Sequence, residues 1–162
     1  MAGKHEVAVT PDHPLEITRT LDAPRELVWQ MWTEPQHLAP WWGPKGSTLP
    51  VWTADLRPGG SYHFTMRGPD GNDYWNRGVY REVVPPKRLV MEGAWTDAEG
   101  HPTSPVMMTI VILEDENGKT KLILRGSGFE SAPARDSHRG GWTSSFERLV
   151  DYLATLQQAT HC

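Results

Sequence analysis

The sequence predicts an α+β domain in which an antiparallel sheet of about seven strands wraps around one long C-terminal helix, leaving a hollow between them. Three observations predict it. The segment from Ala23 to Pro44 holds Trp29, Trp32, Trp41 and Trp42, half of the eight tryptophans, among prolines that divide it into two short helices and a rigid turn. The stretch from Thr48 to Ser127 alternates apolar and polar residues between short Gly, Pro, Asn and Asp turns, which sets neighbouring strands antiparallel. Beyond it the apolar period changes from two residues to 3.6.

Residues 1–13 read as a tail or as an edge strand through Val7 and Val9, and residues 14–160 as a single domain. Leu15, Ile17 and Leu21 alternate as a first strand. Asp22 stands where an N-cap would, with Pro24 in the first turn. Leu27, Val28, Met31 and Trp32 form one helix face. Glu34-Pro35 ends that helix, because the residue before proline resists the α region. A second short helix is predicted over Pro35–Trp41, then a turn at Pro44-Lys45-Gly46.

A strand from Thr48 to Leu56 runs into Arg57-Pro58-Gly59-Gly60. In the next, Tyr62, Phe64 and Met66 share one face, and Ser61, His63 and Thr65 the other. Pro69-Asp70-Gly71-Asn72 turns the chain into the strand 74–84. Two parities fit that strand. One carries Trp75, Arg77, Val79 and Val83 inward; the other carries Tyr74, Asn76, Tyr80 and Glu82. Leu89, Met91 and Trp95 share a face, as do Met107, Thr109, Val111 and Leu113, and then Leu122 and Leu124. The final helix carries Trp142, Phe146, Leu149, Val150, Leu153 and Leu156 on its apolar stripe, and Glu147, Arg148, Asp151 and Gln158 on its polar face. It is predicted to begin between Pro133 and Ser137. Gly140-Gly141 then either precedes the true start or permits a close backbone approach.

Net charge is −4 with no Lys/Arg-rich run, so the electrostatic footprint of a nucleic-acid binder is missing. The one cysteine, Cys162, excludes an intrachain disulfide and a cysteine-rich metal site. The N-terminus lacks the apolar core of a signal peptide, and no run of about 18 apolar residues exists. The expectation is a cytoplasmic protein without membrane contact. The sequence contains no G-x-S-x-G, H-E-x-x-H, C-x-x-C, Walker or G-x-G-x-x-G signature, and its seven histidines show no i,i+4 pair. No catalytic residue, metal or cofactor is assigned.

The order strand, two short helices, six strands, long helix is that of the helix-grip fold. The segments A-P-R-E-L-V-W, T-E-P-Q-H-L-A-P-W-W-G-P, D-L-R-P-G-G, E-V-V-P-P-K-R-L-V, G-K-T-K-L-I-L and G-G-W-T-S-S-F-E-R-L, in this order, resemble the heat-shock-protein-90 ATPase activator homologue-like family of the START-like (SRPBCC) superfamily. The resemblance runs from about Leu15 to Leu156. It implies a curved seven-stranded antiparallel sheet gripping the C-terminal helix, with an internal cavity between them. The family name comes from a eukaryotic co-chaperone that has a separate N-terminal domain. This chain resembles a single-domain member, for which a co-chaperone role does not follow from fold alone.

The leading functional expectation is a binding module for a small hydrophobic or aromatic molecule. Its candidate cavity residues are Trp42, Tyr62, Phe64, Met66, Trp75, Arg77, Tyr80, Met91, Trp95, Met107, Thr109, Trp142 and Phe146. One alternative is a cyclase- or hydrolase-type enzyme, for which Asp55, Arg77, Tyr80, Glu92 and His138 are the candidate polar groups. Another is a co-chaperone or stress-response partner. The Pro-rich aromatic loop suits a pocket lid and a homodimer interface equally. Asp55 also reads as a turn residue paired with an arginine, and His63 as solvent-facing.

Overall fold

Seven strands form one open sheet in the order β1-β7-β6-β5-β4-β3-β2, with every neighbouring pair antiparallel. The computed structural model describes residues 13–160; the expectation for a tail or edge strand through Val7 and Val9 lies outside them. The strands are β1 (Leu15–Leu21), β2 (Thr48–Ala54), β3 (Ser61–Arg67), β4 (Asp73–Val84), β5 (Arg88–Thr96), β6 (Met107–Glu116) and β7 (Lys119–Ser127). The helices are α1 (Arg25–Thr33), α2 (Pro35–Leu38) and α3 (Ala132–Thr160). This is the helix-grip arrangement, with β1 returning to pair with β7. No helix among the described residues is long and apolar enough to cross a membrane.

Local chemistry accounts for the register. Asn117 and Gly118 both have positive φ (56° and 86°) between the paired residues Glu116 and Lys119. That is a two-residue type I′ turn, whose twist matches the strands it joins. At the β3–β4 hairpin, the Asp70 carboxylate accepts the Asn72 backbone N–H at 2.9 Å and the Tyr74 hydroxyl at 3.0 Å. Thr120, fully buried, donates from Oγ1 to the Ala23 carbonyl at 2.7 Å and so ties β7 to the entrance of α1.

Four local expectations are corrected. Asp22 does not cap α1; Pro24 occupies the N-cap position in extended geometry, and its carbonyl accepts from Leu27 and Val28. The second helix stops at Leu38, because Pro40 has no N–H to continue it. β2 ends at Ala54, two residues early, where Asp55 and Arg57 pair across the turn at 2.7 Å. Val150 does not belong to the buried stripe of α3 and is 47% exposed, whereas Phe146, Leu149 and Leu153 are buried.

The core lies between the concave sheet face and the helices. Leu15, Ile17 and Leu21 of β1 join Val111, Leu113, Leu122 and Leu124 against Val28, Met31 and Trp32 of α1 and the stripe of α3. An aromatic cluster extends this core toward β2 and β3. Trp32 lies 4.9 Å from Trp41, 5.8 Å from Trp42, 5.7 Å from Trp142 and 6.3 Å from Phe146 between ring centroids. These are separations at which edge and tilted aromatic pairs attract beyond simple burial. Trp41 is fully buried and donates its indole N–H to the Met31 carbonyl at 3.2 Å.

Arg148 of α3 locks the aromatic loop in place. Its guanidinium donates to the carbonyls of Trp42 (3.2 Å), Gly43 (2.9 Å), Pro44 (3.1 Å) and Ser47 (3.1 Å). The Lys45 N–H adds a bond to Ser144 Oγ at 2.9 Å. Gly43 permits the loop's path: its φ is +94°, and a Cβ there would stand 2.6 Å from Met66 Sδ.

Three expectations follow from this packing. Arg148→Met, which keeps most of the apolar stem, should cost about 3 kcal/mol of unfolding free energy in urea, since bonds from a charged donor are worth more than neutral ones. Arg148→Lys should recover less than half of that, because one ammonium cannot span the same carbonyls; a change below about 0.5 kcal/mol for Arg148→Met would refute the loop's dependence on it. Gly43→Ala should cost about 2 kcal/mol through its backbone conformation and the Met66 contact. The third concerns acid. Asp70 is held below the usual carboxylate range, chiefly by the Asn72 N–H, and Asp73 by Arg67. A carboxylate with a depressed folded pKa contributes stability that is complete above its unfolded pKa and is lost as pH falls through the folded one. Thermal stability should therefore decline below about pH 4, and Asp70→Asn should make that decline shallower; an unchanged slope would contradict the assignment.

Candidate functional site

Between α3 and the β3–β7 part of the concave face the packing leaves a cleft of about 340 Å³. Strand alternation builds its floor. β3 supplies Tyr62, Phe64 and Met66, β4 Asn76, β5 Met91, Gly93 and Trp95, β6 Met107 and Thr109, and β7 Gly126. Phe129, in the connection after β7, closes one side. Helix α3 supplies Ser137, His138, Gly141, Trp142 and Ser145, and the Arg148-anchored loop adds Trp42, Gly43 and Pro44 at the rim. Of the Trp41-Trp42 pair, only Trp42 meets the cleft.

Register places the floor residues in rows. Phe64 pairs with Asn76, and Asn76 with Trp95. Met91 pairs with Thr109, and Thr109 with Gly126. Tyr62 pairs with Gly78, and Gly78 with Gly93. This glycine pair has a steric cause: a Cβ on Gly78 or Gly93 would stand 2.5 or 2.4 Å from the Tyr62 hydroxyl. The phenol lies in the groove that the missing side chains leave, and burial pushes its pKa above the usual tyrosine value, with Tyr80 and Glu92 adding to the effect.

His138 is pinned at both nitrogens. The Trp95 indole N–H, which can only donate, reaches Nε2 at 3.1 Å, so Nδ1 carries the proton and donates to the Ala134 carbonyl at 3.0 Å. Phe129 packs against the same ring at 4.9 Å. Asn76 is the opposite case. It is 8% exposed, lines the cleft, and its side-chain amide has no hydrogen-bond partner among the described residues. The hydroxyl of Ser145, 3% exposed, likewise has none among them.

Four of the thirteen sequence candidates lie elsewhere. Trp75 and Arg77 stand on the convex face, where the Arg77 guanidinium covers Gly100; a Cβ at Gly100 would lie 3.1 Å from it. Tyr80 is inward but buried behind Tyr62, at 5.4 Å between rings, and does not reach the cleft. Phe146 belongs to the Trp32–Trp41 cluster. The reason is the parity of β4: Asn76, Gly78 and Tyr80 face inward, and an irregularity between Tyr80 and Glu82 resets the alternation. Val83 thus packs on the core, while Glu82 is exposed and pairs with Arg88 at 2.8 Å. The other nine candidates, Trp42, Tyr62, Phe64, Met66, Met91, Trp95, Met107, Thr109 and Trp142, line the cleft.

Among the enzyme candidates, Asp55 pairs with Arg57 in an exposed turn, Glu92 pairs with Arg81 away from the cleft, and only His138 lines it. His63 is exposed, as alternation predicts. Sequence reasoning did not single out Phe129, Gly93, Gly126, Ser137 or Ser145. Glycines inside strands 88–96 and 119–127 were the available signal, since they mark close approach or missing bulk. Gly140 and Gly141 lie inside α3, and a Cβ on either would meet nothing within 4 Å. At Gly141 the glycine therefore leaves space rather than admitting a neighbouring backbone. One group of possible metal ligands, Asp97, Glu99 and His101, occurs among the described residues. The Asp97 carboxylate there already accepts the backbone N–H groups of Glu99 (3.0 Å) and His101 (2.9 Å), so the grouping is the geometry of an exposed turn.

Comparison with known proteins agrees with the fold. A crystal structure of a protein from Nitrosomonas europaea is 30% identical, covers 90% of this chain and 96% of its own, and superposes with a TM-score of 0.73. A protein from Mycobacterium smegmatis is 27% identical over 86% of this chain and 90% of its own, with a TM-score of 0.74. A protein from Silicibacter pomeroyi, described as AHSA1, is 26% identical over 88% of this chain and 98% of its own, with a TM-score of 0.78. No curated protein matches the chain. The family model described as "Activator of Hsp90 ATPase homolog 1-like protein" matches residues 22–154, and the chain belongs to that family.

Proposed function

We propose that this protein binds a small hydrophobic or aromatic molecule in the cleft between its sheet and its C-terminal helix. The observation that carries this reading is the composition of the walls: of the eight cleft residues on β3, β5 and β6, three are aromatic (Tyr62, Phe64, Trp95), three are methionines, and none is a carboxylate, lysine or arginine. About 340 Å³ lies at the small end of the range of ligand pockets, roughly 300–1,000 Å³. Such pockets combine apolar walls with a few polar groups that fix orientation, and Asn76, Thr109 and Ser145 are suited to that task. Catalysis would require an acid or base free to exchange a proton with substrate. His138 lines the cleft, but both of its nitrogens are engaged, which favours binding over turnover.

Native mass spectrometry of freshly purified protein, set against the denatured mass, tests this reading. A discrete additional mass that disappears on denaturation is the expected result. Gly141→Leu should abolish it by filling the open space above the floor. The same change should leave thermal stability equal or higher, since replacing a mid-helix glycine by leucine is worth up to about 1 kcal/mol. A clean apo mass, together with no thermal stabilisation of wild type by any apolar or aromatic compound class, would refute it.

A further inference from the structure

The binding reading does not say what kind of polar group the ligand carries; the side chain of Asn76 does. Resting on that reading, we infer that the ligand is an uncharged aromatic molecule bearing one hydrogen-bonding group that both donates and accepts, of the phenol type, seated on Asn76.

Asn76 is 8% exposed and lines the cleft, with no partner for its amide among the described residues. A primary amide offers two donors and a carbonyl acceptor, and buried polar groups in folded proteins nearly always have partners. An amide that lines the cleft without a protein partner therefore offers its donors and acceptor to whatever fills the cleft. Water can satisfy them in the empty cleft; a ligand that displaces that water must supply equivalent bonds or lose affinity. Because the amide presents both donor and acceptor, a hydroxyl matches it better than a group that only accepts.

The neighbours of Asn76 select an aromatic ring. Phe64 and Trp95 are its cross-strand partners on either side, 6.0 Å apart between ring centroids and nearly perpendicular. Gly141 of α3, which lines the same cleft, leaves open space where any other residue would place a side chain. The slot between floor and helix thus suits a flat molecule.

The charges select a neutral one. No Lys, Arg, Asp or Glu lines the cleft. Arg148, which holds the rim loop, is committed to the carbonyls of Trp42, Gly43, Pro44 and Ser47. His138 has given both nitrogens to Trp95 and Ala134. A carboxylate entering here would lose its hydration with no counter-charge to replace it.

Isothermal titration of wild-type protein with naphthalene, 2-naphthol and 2-naphthoate separates the possibilities. The inference expects 2-naphthol to bind about tenfold tighter than naphthalene or better, the effect of one satisfied buried hydrogen bond, and 2-naphthoate to bind more weakly than 2-naphthol. Asn76→Leu should erase the naphthol advantage while binding naphthalene as tightly as wild type or tighter. Equal binding of naphthol and naphthalene by wild type, tightest binding of naphthoate, or an advantage that survives Asn76→Leu would overturn the inference while leaving small-molecule binding intact. Failure of 2-naphthol to bind at millimolar concentration would overturn the inference, whereas the small-molecule reading is decided by the native mass and the compound-class screen. The wild-type ranking needs no variant, so it decides the matter even if Asn76→Leu does not fold.

Discussion

The guanidinium of Arg148 is the contact on which the cleft depends. Four carbonyls from a six-residue loop converge on it from 2.9 to 3.2 Å. A loop that turns its carbonyls inward would otherwise bury acceptors without donors, which costs more than the bonds return. With Arg148 present the loop can run across α3, and Trp42 is delivered to the junction of Trp32, Trp52, Phe64 and Trp142, each within 5.8 Å of it between ring centroids. The aromatic cluster then serves two ends of the molecule: Trp32, Trp41 and Phe146 fill the core, while Trp42 and Trp142 form a wall.

The two halves of the sheet differ for a simple steric reason. Under α1, the inward positions of β1, β6 and β7 are Leu, Ile and Val, and the space is filled. Under the first half of α3 the corresponding positions include Gly93 and Gly126, and the helix presents Gly141. The missing side chain at Gly141 leaves volume that close packing would otherwise remove. Tyr62 shows the converse: where Gly78 and Gly93 face one another, a ring fills the groove completely. A Cβ on Gly126 would likewise stand 3.2 Å from the Phe129 ring, whereas one on Gly141 would meet nothing within 4 Å, so the open volume lies on the helix side.

Much of this could be read from the chain. The strand order, the antiparallel pairing and the long final helix followed from period and turn chemistry, and the inward faces of β3, β5 and β6 followed from alternation. Nine of the thirteen proposed cavity residues sit at the cleft for that reason. The errors fall where a local rule was ambiguous or overridden. β4 admits two parities, and an extra residue at Arg81 breaks its alternation, which no pattern of period two reveals. Trp75 and Arg77 were carried inward by that ambiguity. Arg148 looked like an ordinary solvated charge on a polar helix face, because its partners are backbone carbonyls about a hundred residues away, and backbone groups leave no mark in a sequence. Phe129 lies in a connection, where periodicity has nothing to say.

The most direct test of the account is side-chain NMR of the indole and carboxamide N–H groups during titration with 2-naphthol. The account predicts shifts confined to the indoles of Trp42, Trp95 and Trp142 and the amide of Asn76, with Trp75 on the convex face unmoved. Shifts at Trp75 with none at Asn76, or no shift at any of the three cleft indoles, would contradict the assignment of the cleft as the binding site.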